Sequence, residues 1–201
     1  MKDRTNSEKL ARIVSTLFVP PSFTLLLFSF LAFYLEHDLS KSLGVLGVTL
    51  SFGFFFQIAM FVYFWKKGKV TDLDASVKDE RTIPYFVAIG IYTLGLLVLM
   101  IMHVHPVISA FWFCYISNTL IVIFINRHWK ISAHLLGISG PLAALTYAVG
   151  FSAFYFLTLL LLLAWARLKL KCHTPAQLIA GAFFGFFSTL FQMDLIIKLF
   201  Q

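Results

Sequence analysis

Residues 157–185 read LTLLLLLAWARLKLKCHTPAQLIAGAFFG, in which two apolar runs flank the mostly polar segment 167–177. Each apolar run continues beyond the quoted residues and is typical of a membrane helix. Charged side chains are costly inside hydrocarbon, so a segment with three cations, a histidine and a glutamine belongs at the membrane surface. The stretch predicts that the chain leaves the bilayer near Arg167 and re-enters it near Thr174.

The composition of the whole chain also indicates a membrane protein. Of 201 residues, 60% are hydrophobic and 17% aromatic, which exceeds the usual content of a soluble domain. Several runs approach or exceed the ~20 apolar residues that a helix needs to cross hydrocarbon, and none alternates like a barrel strand. We therefore expect an all-α, polytopic membrane helix bundle that forms a single domain over residues 1–201.

Seven membrane spans account best for the apolar runs, and six are the alternative. The expected spans are 10–35, 42–65, 84–103, 106–126, 134–149, 151–166 and 174–199. Residues 134–166 number 33, too many for one ordinary span at ~1.5 Å rise per residue and slightly few for two. Gly150 is the only turn-like point between them.

The positions of the basic residues favour seven spans over six. With two spans in 134–166, fourteen of the sixteen lysines and arginines fall on one side of the membrane, and only Lys41 and Lys198 lie opposite. The positive-inside rule makes that side cytoplasmic, so we expect a multi-pass protein of the cell inner membrane. The net charge of +7 then reflects topology and contact with anionic membrane lipids, and requires no nucleic acid.

This topology brings three polar segments, 72–84, 130–134 and 167–177, to one membrane face. Their candidate functional residues are Lys78, Arg81, Lys130, Ser132, His134, Arg167, His173 and Gln177. Cations and a hydroxyl can hold a phosphate, one imidazole can attack phosphorus, and a second can protonate the leaving oxygen. The set favours a phosphoryl-transfer site.

The third segment also predicts a helix start. Thr174 can cap a helix whose first residue is Pro175, because a proline there forgoes no helical hydrogen bond. His173 would then lie at the positive end of the helix dipole, where phosphate is favoured. Gln177 follows His173 by four residues, so we expect its side-chain oxygen to accept from the imidazole N–H and orient the ring.

Two of these segments resemble motifs of the type 2 phosphatidic acid phosphatase superfamily of membrane lipid phosphatases. The third motif of that family is Ser-Arg, five residues, His, three residues, Asp; Arg167, His173 and Gln177 keep its spacing, with Ala166 in place of the serine. The second motif is Pro-Ser-Gly-His, which residues 131–134, Ile-Ser-Ala-His, match in part.

The first motif of the family, a Lys and an Arg-Pro separated by six residues, is matched least well. Arg81 aligns with the arginine, Thr82 replaces the proline, and Asp74 stands in the place of the lysine. Lys78 is a possible substitute for that lysine.

The resemblance implies a role for each matched residue. His173 would be the nucleophile, His134 the acid, and Arg81, Ser132 and Arg167 would bind phosphate, in a single chain without metal or other cofactor. Lys78 and Lys130 are further candidates for phosphate binding. Gln177 replaces the family aspartate and lacks the negative charge that stabilises an imidazolium, so turnover slower than that of a full-motif relative is expected.

The expected function is hydrolysis of a lipid phosphate or diphosphate through a phosphohistidine. One alternative is a weakly active or inactive relative that binds an anionic headgroup, and another is a lipid phosphotransferase. A prenyl-transferring enzyme is a third, in which a divalent cation would bridge a diphosphate to Asp72, Asp74, Asp79 and Glu80. Gly181 and Gly185, spaced as GxxxG, indicate close helix packing within the chain or between protomers, which makes a homo-oligomer possible.

The predicted orientation can be tested by labelling cysteines from one side of the membrane. Single-cysteine variants in residues 66–83, in a chain lacking Cys114 and Cys172, should react with an impermeant thiol reagent only after cells are opened, because the positive-inside rule puts this loop in the cytoplasm. Labelling in intact cells would show that this loop faces outward and would contradict the predicted orientation.

Overall fold

A computed structural model describes residues 5–72 and 77–199, apart from the side chain of Ser152. Asp74, Lys2 and Arg4, which enter the sequence argument, lie outside these residues. Every regular element in the described part of the chain is helical, which confirms the all-α class. The helices are α1 Asn6–Leu17, α2 Pro20–Leu35, α3 Leu39–Val48, α4 Phe56–Lys66, α5 Thr82–Ile101, α6 Pro106–His128, α7 Ala133–Val149, α8 Leu157–Lys169 and α9 Pro175–Leu199; a π-helical segment, Thr49–Phe55, joins α3 to α4, and 3₁₀ segments cover Asp79–Arg81 and Gly150–Phe156.

Several of these helices are long and apolar enough to cross a membrane. Four described stretches meet that condition, namely Leu39–Lys66, Asp79–Ile101, Pro106–His128 and Pro175–Leu199. A fifth is added if α1 and α2, which meet at 50°, count as one broken span. With 17 and 13 residues, α7 and α8 are shorter. The helices are thus compatible with an integral membrane protein, and a count of seven crossings stays a prediction.

The first expected span, residues 10–35, is not one continuous helix, although α1 and α2 together can still count as one broken span. The chain breaks between α1 and α2, where Pro20 and Pro21 occupy the first two positions of α2. A proline disfavours helical geometry in the residue before it, and Val19 accordingly has an extended backbone, with φ −74° and ψ 153°. The prolines therefore start a new helix instead of continuing α1.

A core of aromatic side chains fixes α2, α5 and α6 relative to one another. The ring of Phe28 lies against those of Phe111 and Trp112, with 4.9 Å between ring centroids in both pairs. The Trp112 indole N–H donates to the Tyr92 carbonyl oxygen at 2.8 Å, so its polar atom is satisfied although the side chain is fully buried. This core fixes the middle of α2 and of α5 against the first third of α6.

The hairpin of α7 and α8 turns at Gly150, as the sequence predicts. Gly150 ends α7 with φ +72°, a left-handed conformation that costs glycine nothing because it has no Cβ. The 3₁₀ segment then leads into α8, which returns to the end of the bundle where α7 began. Arg167 in the last turn of α8 consequently lies near Lys130, just before α7, and its charge helps to lower the pKa of Lys130.

The two GxxxG glycines of α9 pack against α7 within the chain. A Cβ on Gly181 would lie 2.6 Å from the Ser132 carbonyl oxygen, and one on Gly185 would lie 2.2 Å from Ser139 Oγ and 2.8 Å from the Leu136 carbonyl oxygen. Real Cβ atoms do not approach so closely, so only glycine fits at both positions. The contact places the first turns of α7 and α9 side by side.

We predict that Gly185→Ala destabilises the protein, whereas Gly90→Ala in α5 does not. The new methyl group at 185 would overlap Ser139 and Leu136, and overpacking of this kind costs about 1–3 kcal/mol. Nothing lies within 4 Å of a Cβ at Gly90, so alanine there should be neutral or slightly stabilising. Melting temperatures of the two variants in detergent test the contrast, and equal values would contradict the close α7–α9 contact.

Candidate functional site

The start of α5, the α6–α7 loop and the α8–α9 loop meet at one end of the bundle. Five predicted site residues are buried there, each at most 8% exposed; they are Arg81, Ser132, His134, Arg167 and His173. The charges of Arg167, Lys130, Arg81 and His134 all act on His173, so the structure brings three separate sequence segments into one cluster. We call Arg81, Lys130, Ser132, His134, Arg167 and His173 the basic cluster.

Hydrogen bonds to distant parts of the chain hold both arginines of the basic cluster. Arg81 Nη1 donates to the Ile131 carbonyl oxygen at 3.0 Å. Arg167 Nη1 donates to Ser15 Oγ at 2.7 Å, and Ser15, on α1, is 1% exposed. Because α1 packs against α8, its hydroxyl reaches the arginine in the last turn of α8.

The loop before α7 is tied to the loop before α9. Lys130 Nζ donates to the Cys172 carbonyl oxygen at 2.7 Å, and the Ser132 N–H donates to the Gln177 carbonyl oxygen at 3.3 Å. Ser132 also caps α7, its hydroxyl oxygen accepting from the Leu135 N–H at 3.4 Å. Burial, followed by the charge of Arg81, lowers the pKa of Lys130.

His173 is a buried residue of this cluster, and both of its ring nitrogens lack a hydrogen-bond partner in the described part of the chain. The residue is 8% exposed. Burial lowers the pKa of His173 to about 2, aided by the positive charges of Arg167, Lys130 and Arg81 and by His134. The imidazole is therefore neutral at physiological pH, which leaves one ring nitrogen with a free lone pair.

The expected hydrogen bond between His173 and Gln177 was wrong. Gln177 Oε1 accepts from the Thr174 N–H at 3.1 Å, and Thr174 Oγ1 accepts from the Gln177 N–H at 3.4 Å. These reciprocal bonds form a capping box at the start of α9. His173 precedes the cap and lies outside the helix, so the side-chain neighbourhood of residues four apart does not apply to it.

Lys78 lies at the edge of the basic cluster and contacts the end of α6. Its Nζ donates to the carbonyl oxygens of Asn126 and Arg127, each at 3.0 Å, and lies 3.3 Å from a carboxylate oxygen of Asp79. A cation at this position satisfies carbonyl groups that have no partner inside α6. In this structure Lys78 caps a helix, and it is not among the cations that lower the pKa of His173.

Two buried polar residues near the cluster were missed by the sequence analysis. Ser15 contacts Arg167 from 152 residues away, so no local pattern could reveal it. Asn126, 3% exposed near the end of α6, accepts from the Ile131 N–H through Oδ1 at 3.3 Å. A polar residue inside an apolar span is a signal of function by itself, and that signal was available for Asn126.

Comparison with known proteins adds no further assignment. No protein-family model matches the chain, and no curated protein and no solved structure is significantly similar to it. Among residues 5–72 and 77–199, no group of three or more His, Cys, Asp and Glu side chains is placed to hold a metal ion. Asp74, one member of the acidic loop considered for a divalent cation, lies outside those residues.

We predict that His173 makes the folded protein less stable in acid. The folded-state pKa is lowered while the unfolded value is about 6.5, so the unfolded chain takes up a proton first. The contribution of His173 to the free energy of unfolding is therefore fully present above about pH 6.5, and it is lost as the pH falls below that value. Melting temperatures in detergent between about pH 7.5 and 5.5 should therefore fall less steeply for His173→Gln than for the wild type. Equal slopes would contradict a buried neutral imidazole.

Proposed function

We propose that this chain is a membrane lipid phosphatase that hydrolyses a lipid phosphate or diphosphate. One observation carries the proposal: a buried histidine, His173, has two unsatisfied ring nitrogens in the described structure and lies among Arg81, Arg167 and Lys130. Cations attract a phosphate to the ring, and the lowered pKa keeps the ring neutral, so that a nitrogen lone pair is available to attack phosphorus. The resemblance of these segments to a lipid phosphatase family supports the same chemistry.

In the proposed reaction, the cations and the Ser132 hydroxyl hold the phosphoryl oxygens. A ring nitrogen of His173 attacks phosphorus, and the bond from phosphorus to the lipid oxygen breaks. His134 gives a proton to the departing oxygen, which is the lipid alkoxide or, for a diphosphate, the lipid phosphate. Water then attacks the phosphohistidine while His134 takes up a proton, which releases inorganic phosphate and restores both histidines.

The fixed positions of the arginines favour a phosphate that is bound in one orientation. Ser15 and the Ile131 carbonyl oxygen each hold one nitrogen of a guanidinium, so little side-chain entropy remains to be lost when a phosphate binds. Arginine also presents several donors in a rigid fork that suits phosphate oxygens. This arrangement suits the trigonal phosphoryl group of the transition state as well as the substrate.

A lipid substrate is proposed because the cluster lies where helices begin and end. His173 precedes α9 by two residues, and the outward face of α9 is apolar, with Phe183 64% and Phe187 51% exposed. A headgroup could reach the cluster while its acyl or prenyl chain stays beside such a face. The proposed setting is the cell inner membrane, with seven crossings and the cluster on the cytoplasmic side.

A protein that binds an anionic headgroup without turnover is the second candidate. Gln177 favours it, since a capping glutamine that does not contact His173 provides neither the orientation nor the negative charge of a catalytic partner. A lipid phosphotransferase would use the same first step and pass the phosphoryl group to a lipid hydroxyl in place of water. A new phospholipid, in place of free phosphate, would identify it.

The test is phosphate release by the purified protein from a panel of lipid phosphates and diphosphates in detergent. Removal of the nucleophile in His173→Ala should lower kcat by roughly three orders of magnitude or more. Arg167→Ala should lower kcat/KM about tenfold to a hundredfold, the usual value of a hydrogen bond to a charged group. His103→Ala is the matched control, because His103 lies at the opposite end of the bundle between α5 and α6.

Each outcome separates the candidates. Activity that survives His173→Ala would refute the phosphohistidine mechanism. A folded wild-type protein that binds lipid phosphates and releases no phosphate from any of them would identify a binding protein.

A further inference from the structure

The side chain of Asn126 is buried with half of its hydrogen-bonding capacity unused. The residue is 3% exposed, and its Nδ2 atom has no hydrogen-bond partner among residues 5–72 and 77–199. Buried amide groups nearly always find a partner, because leaving a donor unsatisfied is costly. An unused donor at the edge of a charged cluster calls for a ligand that accepts hydrogen bonds.

The orientation of this carboxamide follows from its other contact. Oδ1 lies 3.3 Å from the Ile131 nitrogen, and a backbone N–H can only donate. A flipped amide would set two donors against each other, so the group that points away from Ile131 is the NH₂ group. Its ligand must supply a hydrogen-bond acceptor, which excludes a bare cation and suits a phosphate oxygen.

The location of Asn126 links it to the proposed phosphate site. Ile131 accepts from Arg81 Nη1 through its carbonyl oxygen at 3.0 Å, while its N–H contacts Asn126. One residue therefore holds both the guanidinium and the carboxamide, and Ser132 follows it directly. The Asn126 carbonyl oxygen in turn accepts from Lys78, which fixes the backbone at this point.

We propose that Asn126 is a phosphate-binding residue, whose Nδ2 donates to a phosphoryl oxygen beside Arg81 and Ser132. This contact rests on the proposed function. A carboxamide adds a neutral donor to a set of cations, so it strengthens binding without lowering the pKa of the neighbouring groups through charge. It also selects for ligands whose oxygens are acceptors at that point, as in a phosphomonoester or a terminal phosphate.

The main test compares Asn126→Asp with Asn126→Ala. Aspartate keeps the acceptor for Ile131 but replaces the donor by a carboxylate oxygen, whereas alanine removes both. If Asn126 only supports the loop, Asp should resemble the wild type more closely than Ala. If Nδ2 contacts phosphate, Asp should be the more damaging, raising the inhibition constant of inorganic phosphate by at least ~tenfold while the melting temperature stays above that of Asn126→Ala.

A second measurement reports the contact directly in the wild-type protein, in which the hydrogen bonds around Asn126 are intact. In protein labelled with ¹⁵N-asparagine, the side-chain NH₂ resonance of Asn126, assigned by its loss in Asn126→Asp, should shift when inorganic phosphate is added. Asn118 is the control, because its Nδ2 already donates to Thr189 Oγ1 at 2.9 Å inside the α6–α9 interface, and its resonance should not move.

The outcomes distinguish this contact from the function on which it rests. Wild-type protein that hydrolyses lipid phosphates, with an unmoved Asn126 resonance and a wild-type inhibition constant in Asn126→Asp, overturns the contact alone. Wild-type protein that neither hydrolyses lipid phosphates nor binds inorganic phosphate overturns the proposed function together with this contact. A shifted Asn126 resonance and the predicted order of the two variants support both.

Discussion

The candidate site depends on a place where two helices touch without side chains between them. Gly181 and Gly185 allow α9 to approach the backbone of α7 near Ser132 and Leu136. Lipid tails are as apolar as leucine, so helices in a bilayer are not driven together by the hydrophobic effect and rely on close packing of small residues. At this contact the Ser132 N–H reaches the Gln177 carbonyl oxygen. A bulkier α9 would stand away from α7 and separate His173 from His134 and Ser132.

Each cation of the basic cluster donates a hydrogen bond to a neutral oxygen atom. Arg81 donates to a carbonyl oxygen, Arg167 to a hydroxyl, and Lys130 to the Cys172 carbonyl oxygen. Such bonds fix the direction of a cation without adding a negative charge. His173 experiences the resulting positive field, which is one cause of its lowered pKa. A bound anion would weaken that field, so ligand binding and proton uptake by the imidazole are coupled.

Features set by a long local pattern could be predicted from the sequence. The spans that became Leu39–Lys66, α5, α6 and α9 were predicted to within three residues, because long apolar runs have few alternatives. The turn at Gly150 followed from length and charge together. The break before Pro20 was not predicted. Membrane helices tolerate proline more readily than soluble ones, and the apolar run alone favoured a continuous helix.

The site itself was predictable in its members and less so in its contacts. The three polar segments meet at one end of the bundle, as the expected topology required, and the cations and histidines that lie there are residues that the sequence analysis named. Gln177 was misassigned although Thr174, three residues earlier, offered the pattern of a capping box. The contact of Ser15 depends on how distant segments pack, which residue spacing along one helix does not encode. Asn126 bonds a residue only five positions away, and its place inside an apolar span was a signal that the sequence analysis overlooked.

The hydrogen bond from Arg167 to Ser15 has a consequence for biosynthesis. The two residues are 152 positions apart, and translation at about 5–20 residues per second separates their appearance by roughly 8 to 30 seconds. Until then the face of α1 that carries Ala11, Val14 and Ser15 has no α8 to cover it. The contact between Arg167 and Ser15 therefore forms only after α8 has been made, and a nascent chain that ends with α7 holds Arg81, Lys130, Ser132 and His134 of the basic cluster but neither Arg167 nor His173.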